Sequence, residues 1–292
     1  MPHILVTGAN GQVGQALQNI ARQWPSFSFH FTDRTTLDIT DGPSVKAFFE
    51  KSAITHCINC AAYTAVDKAE TEDELARKIN VEAVGNLARA CASNNARLIQ
   101  ISSDYVYHND LNRPLLEDDP TKPRSVYART KLGGDLVAMS HAPNTVIFRT
   151  SWVYGEHGHN FVKTMIRLGA ERDRLGIVYD QIGAPTYTAD IASALLHIVD
   201  ADDKGSIDKE AIAGVYHYSN EGVCSWYDFA LAIFDEASIA CEVSPILSEQ
   251  YPTPAARPHF SVMDKNKIKT TFGIKIPHWR ESLKQCIQAL TK

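Results

Sequence analysis

His3-Ile4-Leu5-Val6-Thr7-Gly8-Ala9-Asn10-Gly11-Gln12-Val13-Gly14 passes from a short apolar run, through three spaced glycines, into a stretch with helical periodicity. The order is strand, tight turn, helix. Gly8 permits the sharp turn, Gly11 lets the backbone approach a pyrophosphate, and Gly14 lets the helix pack close to the strand. The helix N-terminus then faces the anion with unpaired N–H groups. Gly8, Asn10, Gly11, Gln12 and Val13 are therefore the candidate cofactor-loop residues.

The same rhythm continues outward from this loop. Strand-like runs are expected at 3–7, 27–32, 55–60, 97–102 and 144–149, and helices between them at 12–23, 43–51, 72–94 and 125–139. Pro43 suits a first helical turn, where its missing N–H costs nothing. Short apolar strands alternating with helices predict an α/β fold, a Rossmann-type doubly wound parallel sheet buried on both faces. Residues 1–150 are read as the dinucleotide-binding domain. Residues 151–292 are read mainly as a smaller C-terminal lobe for substrate, with segments around 175–200 returning to the first domain. In that lobe 160–172, 189–199 and 225–237 read as helices, and 247–258, with Pro252, Pro254 and Pro258, reads as loop.

A ribose-binding acid is expected about 20 residues after the glycines, at the end of the second strand. Asp33 stands there and suits the free adenosine ribose. Arg34 follows and suits a 2′-phosphate. The two pull in opposite directions, so NADH and NADPH both stay open as cofactor.

Tyr127 and Lys131 stand four apart in Tyr127-Ala128-Arg129-Thr130-Lys131, which puts them on one helix face. An ammonium beside a phenol favours the phenolate and lowers its pKa, so the pair can exchange a proton with a carbonyl near neutral pH. Lys131 can also hold the nicotinamide ribose. Ser103 closes the fourth strand, where its hydroxyl can bond the reacting oxygen.

The bulk properties exclude several classes. The net charge of −5 argues against non-specific nucleic-acid binding. No apolar run approaches the roughly 18 residues of a membrane helix, and no charged-then-apolar leader precedes the first strand. Six cysteines in 292 residues make no disulfide framework, so a cytoplasmic location is expected. Cys57-Ile58-Asn59-Cys60 has redox spacing but falls in a buried strand, which favours core packing. The acidic run from Glu70 to Glu74 reads as a solvated helix start rather than a metal site.

Together these features resemble the extended short-chain dehydrogenase/reductases, and within them the dTDP-4-dehydrorhamnose reductase family. The similarity lies in Asn59-Cys60-Ala61-Ala62-Tyr63-Thr64-Ala65-Val66-Asp67-Lys68-Ala69-Glu70, Ser103-Asp104-Tyr105-Val106-Tyr107 and Arg149-Thr150-Ser151-Trp152-Val153-Tyr154-Gly155. It continues in Asn160-Phe161-Val162, Asp180-Gln181-Ile182-Gly183-Ala184-Pro185-Thr186, Ser225-Trp226-Tyr227 and Ala255-Ala256-Arg257-Pro258. The resemblance implies reduction, with NADH or NADPH, of the 4-keto group of a nucleotide-activated deoxysugar, the last step to dTDP-L-rhamnose in polysaccharide biosynthesis.

By that similarity Tyr127 is the proton donor, Lys131 its activator and ribose ligand, and Ser103 the carbonyl partner, in a position where the family usually has Thr. Gly11, Gln12 and Val13 would line the pyrophosphate, Asp38 and Ile39 the adenine, and Ala61, Ala62 and Tyr63 the sugar-phosphate side. Val66, Asp104, Tyr105 and Trp152 would touch the substrate sugar, and Arg257 the diphosphate. Two alternatives share the scaffold. Nucleotide-sugar dehydratases and epimerases form one, and the dehydratases carry an Asp-Glu pair where Asp104 is followed by Tyr105. The other is the regulatory subunit of methionine adenosyltransferase. Some members of the family are dimers bridged by Mg²⁺ through glutamates, one of them in the helix after the glycine loop. Here that helix reads Gly14-Gln15-Ala16-Leu17-Gln18 without a carboxylate, so no metal is expected, and the chain is expected to be a monomer or a metal-independent homodimer.

Overall fold

A computed structural model describes residues 1–108 and 110–291 of the chain. In its first half β1 (His3–Thr7), α1 (Gln12–Ile20), β2 (Ser28–Phe31), α2 (Gly42–Ser52) and β3 (His56–Asn59) follow in order. After them come α3 (Val66–Ala69), α4 (Asp73–Arg77), α5 (Ala83–Ser93), β4 (Arg97–Ser103), α6 (Val126–His141) and β5 (Val146–Thr150). The five expected strands are all present: β1 has the expected bounds, β2 and β3 are trimmed at both ends, β4 runs on to Ser103, and β5 is shifted toward Thr150. The helix expected over 72–94 is broken. A π turn, Lys78–Glu82, separates α4 from α5. Such turns concentrate at functional sites, and here the buried Asn80 amide bonds the Tyr63 backbone on both sides (N–H to Oδ1 at 2.9 Å, Nδ2 to carbonyl at 3.1 Å) and reaches the Thr130 hydroxyl at 3.1 Å.

The second half contains β6 (Val153–Tyr154), α7 (Phe161–Glu171), β7 (Arg174–Val178), β8 (Ile182–Gly183), β9 (Thr186–Tyr187), α8 (Thr188–Asp203), α9 (Lys209–Ile212) and β10 (Gly214–His217). The chain ends with β11 (Cys224–Ser225), α10 (Trp226–Glu236), β12 (Glu242–Ile246), α11 (Asn266–Phe272) and α12 (Trp279–Leu290). The main sheet is parallel, in the order β10-β5-β4-β3-β1-β2. It is therefore not complete at residue 150, because β10 pairs with β5 in the register Gly214↔Val146. Of the stretch 175–200, the part that lies on the sheet is α8, which packs beside α1. Arg174–Val178 instead pairs in parallel with β12 as a separate ribbon.

Two apolar layers cover the sheet. Ile4, Val6, Leu17, Ile191 and Leu195 sit on one face, and Leu5, Phe49, Leu87 and Leu98 on the other. Burying each such side chain contributes about 1.5–3 kcal/mol. A third cluster, with Phe229, Ile233, Trp279 and Leu283, holds the C-terminal elements together. The chain leaves β1 for β2 on one side and returns to β3 on the other. That reversal opens a crevice at the carboxyl ends of the strands, where the glycine loop and Ser103 lie.

Candidate active site

The glycine loop is built by exclusion. Gly8 has φ +63, and a Cβ there would stand 2.6 Å from the Ala61 nitrogen. A Cβ on Gly14 would stand 2.5 Å from the Gly8 carbonyl oxygen. Only glycine fits either position. Gly11 caps α1 with no side-chain hydrogen bond, so the first N–H groups of the helix are free for an anion. The loop forms one wall of a cavity of about 460 Å³. Gly8, Asn10 and Gly11 line it with Asp33 and Arg34, and Asp38, Ile39, Ala61 and Ala62 close the other side. These dimensions and donors fit the adenosine and pyrophosphate of a dinucleotide.

The other expected cofactor residues lie off this cavity. The Gln12 amide oxygen accepts from Asn160 at 3.0 Å, and Val13 is buried in the core. The Tyr63 phenol donates to Glu72 at 2.6 Å. Lys131 lies deeper, under β4. Asp33 is engaged by its own loop: Oδ1 accepts from the N–H and hydroxyl of both Thr35 and Thr36, and Oδ2 from Asn10 at 2.8 Å. These bonds, those of Thr35 first, hold its carboxyl well below the usual range. The Arg34 side chain is 87% exposed at the rim, 3.9 Å from the Asp38 carboxylate.

Ser103, Tyr127 and Lys131 converge at the end of β4. Ser125 caps α6 by accepting from the Ala128 N–H at 3.1 Å, and Glu70 accepts from the Val126 N–H at 2.8 Å. The first turn of α6, which carries Tyr127, is thus fixed from two sides. The Tyr127 phenol lies beside the Ser103 hydroxyl, and its ring meets Tyr105 edge-on with centroids 5.7 Å apart. Burial pushes the phenol up to about 12, against the pull of Ser103, and the carboxylates of Asp104 and Asp135 push it further. The expected lowering of Tyr127 by Lys131 is therefore corrected. The Lys131 ammonium is turned beneath the strand, where it donates to the Ile101 carbonyl at 2.6 Å. Burial pulls Lys131 down to about 8, opposed by Asp135 and Cys60.

Asp104 is buried beside Ser103, and its Oδ1 accepts the Ser103 hydroxyl proton at 3.0 Å. Burial pushes its carboxyl up to about 6, against the neighbouring serine hydroxyls.

On the substrate side Val66 opens α3 and is half-buried. Arg257 meets Asp67 with both arms of its fork, at 3.0 and 2.8 Å, and Asp67 also accepts the Ala255 N–H at 3.2 Å. Trp152 has φ +47 and stacks flat on Trp226, with centroids 3.5 Å apart and planes within 6°. A Cβ on Gly183 would approach the Trp152 ring to 2.7 Å. Two cavities, of about 330 and 520 Å³, meet at Arg257, Gln181, Tyr251 and Thr253. The larger has Phe161, Met165 and Trp226 on its apolar side and Arg172 and Arg174 on its basic side.

Sequence reasoning missed Trp226, Asp67 and Asn80 as site-building residues. Trp226 and Asp67 lie inside motifs already quoted, so the signal was present without a role attached. Among the described residues no group of three or more His, Cys, Asp or Glu side chains could hold a metal ion.

The whole chain, residues 2–292, matches the family model described as the RmlD substrate binding domain. It is 40% identical to a dTDP-4-dehydrorhamnose reductase from Aggregatibacter actinomycetemcomitans, covering 97% of this chain and 98% of that one. A solved dTDP-4-dehydrorhamnose reductase from Clostridium acetobutylicum superposes with a TM-score of 0.92 at 41% identity, covering 99% and 100% of the two chains. A solved one from Bacillus anthracis, in complex with NADP, superposes with a TM-score of 0.92 at 36% identity and covers the same shares.

Proposed function

The chain belongs to the RmlD substrate-binding-domain family, and we propose that it reduces the 4-keto group of dTDP-4-dehydro-L-rhamnose to give dTDP-L-rhamnose, using NADH or NADPH. The observation that carries the reading is the placement of Ser103 and Tyr127 beside a glycine-built dinucleotide cavity, with Lys131 on the same helix face buried beneath them. The reduced nicotinamide, when bound, supplies hydride to the carbonyl carbon.

The chain's own residues handle the charge that then develops on the oxygen. Tyr127 donates the proton, and its high pKa keeps the phenol protonated before the reaction. Ser103 sits against the Tyr127 hydroxyl and shares the oxygen once its own proton is released from Asp104. Lys131 holds the nicotinamide ribose and steadies the phenolate that Tyr127 becomes. Gly8, Asn10 and Gly11 serve the pyrophosphate together with the backbone N–H groups of Gln12 and Val13 at the start of α1, Asp33, Arg34, Asp38 and Ile39 serve the adenosine, and Ala61 and Ala62, followed by Tyr63, the remaining sugar-phosphate. Val66, Asp104, Tyr105 and Trp152 contact the sugar.

Arg257 takes the diphosphate, as a planar fork suited to paired phosphate oxygens. Asp67 keeps that fork in place beforehand. The adjoining cavity, apolar on one side and basic on the other, supports a nucleoside diphosphate as the rest of the substrate. Among the described residues no helix is long and apolar enough to cross a membrane. Helix α1 offers no carboxylate, which supports a monomer or a dimer independent of metal.

The direct test is oxidation of NADH or NADPH by the purified chain with dTDP-4-dehydro-L-rhamnose, followed at the nicotinamide absorbance band. Stoichiometric formation of dTDP-L-rhamnose is expected. Tight cofactor binding with no turnover on any 4-keto nucleotide sugar would overturn the reading.

A further inference from the structure

Beneath the crevice a row of buried polar groups leads away from Lys131. Asp135 lies one helical turn further along α6 and is fully buried. Its Oδ2 accepts from the Ser102 hydroxyl at 2.8 Å and from Arg149 Nε at 3.3 Å, while its buried Oδ1 has no hydrogen-bond partner. Arg149, itself buried on β5, donates through Nη1 to the Tyr107 hydroxyl. The Tyr107 hydroxyl lies 2.7 Å from His217 Nε2, and His217 Nδ1 lies 3.1 Å from the Asp264 carbonyl. A carbonyl only accepts, so Nδ1 carries the proton and Nε2 receives the one from Tyr107. Burial pulls His217 down to about 3, in keeping with that neutral ring. Every donor in the row therefore has one direction, and it ends by aiming Arg149 at Asp135.

A buried carboxylate with an unfilled oxygen is costly. Arg149 and Ser102 satisfy only Oδ2, so pairing with β5 does not by itself account for the acid. Asp135 and Lys131 stand one turn apart on α6, both buried, and the carboxylate's charge acts on the ammonium. We propose that Asp135 is a positioning residue for the reduction: its charge holds Lys131 in the protonated form that the ribose and the Tyr127 phenolate require. This rests on the reductase reading given above.

Asp135 outweighs the other groups around Lys131. From β4 comes the Ile101 carbonyl, a neutral acceptor. From the loop after β3 comes Cys60, whose thiol burial pushes well above its ordinary range, so it stays uncharged. The π turn presents Asn80 to Thr130, the segment after α3 presents Glu70 to the Val126 N–H, and α5 presents Arg89 to His141 at the far end of α6. On α4, Arg77 is paired with Glu82 at the surface. Asp104, after β4, bears on Tyr127. Among the described residues Asp135 is thus the one carboxylate that raises Lys131, against a burial that lowers it to about 8.

The test compares Asp135→Asn, Asp135→Glu and Ser102→Ala with the parent between pH 6 and 9.5. Two readouts are taken: kcat with dTDP-4-dehydro-L-rhamnose, and NADPH affinity by fluorescence, which needs no sugar. Loss of an opposite charge at this range moves a pKa by about one unit or more. In Asp135→Asn the alkaline limb of both readouts should therefore move acid-ward by about that much, costing about fivefold at pH 8, about tenfold at pH 9 and little at pH 6. Asp135→Glu keeps the charge and should restore the parent's limb. Ser102→Ala removes a hydrogen bond without the charge and should leave the limb in place. If Asp135→Asn does not fold, Asp135→Thr is read in the same way.

An unmoved limb in a folded variant, or an equal movement in Ser102→Ala, would overturn the proposal. Absence of turnover in the parent would overturn the reductase reading alone, because the binding limb still reports on Lys131.

Discussion

The Ser103 hydroxyl gives its proton to Asp104 at 3.0 Å, so the group expected to bond the substrate carbonyl is turned toward a buried acid. Burial raises that acid to about 6. Below this value Asp104 is protonated and leaves the Ser103 proton free. Above it, the carboxylate captures that proton. The log of kcat should therefore step down as pH rises through about 6, and the step should be absent in Asp104→Asn, which does not ionise. Steady-state rates across pH 5–7.5 at saturating substrate, about two units spanning the step, check this. The same step in both proteins would mean that Asp104 does not govern Ser103.

Tyr127→Phe keeps the ring and its edge-on contact with Tyr105 but removes the proton. Turnover should fall by roughly 10²–10⁴-fold, the usual worth of a positioned acid, with NADPH binding nearly unchanged. Lys131→Met should lose both rate and affinity. Near-normal turnover in Tyr127→Phe would assign the proton to another donor.

At the adenosine end neither cofactor is excluded. Asp33 is held by Thr35, Thr36 and Asn10, and Arg34 is exposed at the rim. NADH and NADPH affinities should differ by less than about a thousandfold, or about 4 kcal/mol. Arg34→Ala should weaken NADPH by about tenfold and leave NADH nearly unchanged. Fluorescence titrations measure both, and an equal loss for the two cofactors would remove Arg34 from the 2′-phosphate.

At the opposite end of the sheet, Asp202 on α8 holds Arg97 through both oxygens and His56 at 3.1 Å, all three buried. Burial opposes its charge, but the bonds to His56 and Arg97 prevail and hold the carboxyl well below the usual range. A depressed folded pKa contributes stability above the unfolded value, which is lost as pH falls through the folded one. Asp202→Asn should cost about 3–5 kcal/mol at pH 7, and the penalty should shrink as the pH falls below about 4. Denaturant melts at pH 7 and pH 3 check the sign. A constant penalty would detach it from the ionisation of Asp202.

Sedimentation in Mg²⁺ and in chelator should give the same mass, since α1 has no carboxylate to offer a hard cation. A dimer that dissociates on chelation would overturn this.

What the sequence made legible was local. The glycine loop, the Tyr127–Lys131 spacing and the first five strands each fit in a short window. The break at Lys78–Glu82 carries no glycine or proline; what marks it is the pair of bonds from Asn80 to the Tyr63 backbone, outside any local window. Strand β10 is only Gly214–His217, and its partner Val146–Arg149 lies far back in the chain. Pro245 and Gly176 disguise the β7–β12 ribbon. In the site, Asp67 with Arg257 and Trp152 with Trp226 are meetings of distant segments, and Asp135 with Arg149 joins two neighbouring elements. A sequence names such residues without saying that they touch.

The late arrival of β10 has a consequence for how the protein is made. During synthesis the first five strands leave the ribosome well before Gly214–His217, and β5 then presents an unpaired edge. The face that α8 covers beside α1 is bare over the same interval. A nascent chain paused near residue 150 therefore exposes both a template for strand addition and an apolar surface, the two features that recruit chaperones or seed aggregates. A fragment cut there, although it holds the whole glycine loop, should behave as an unfinished protein rather than as a portable nucleotide-binding module.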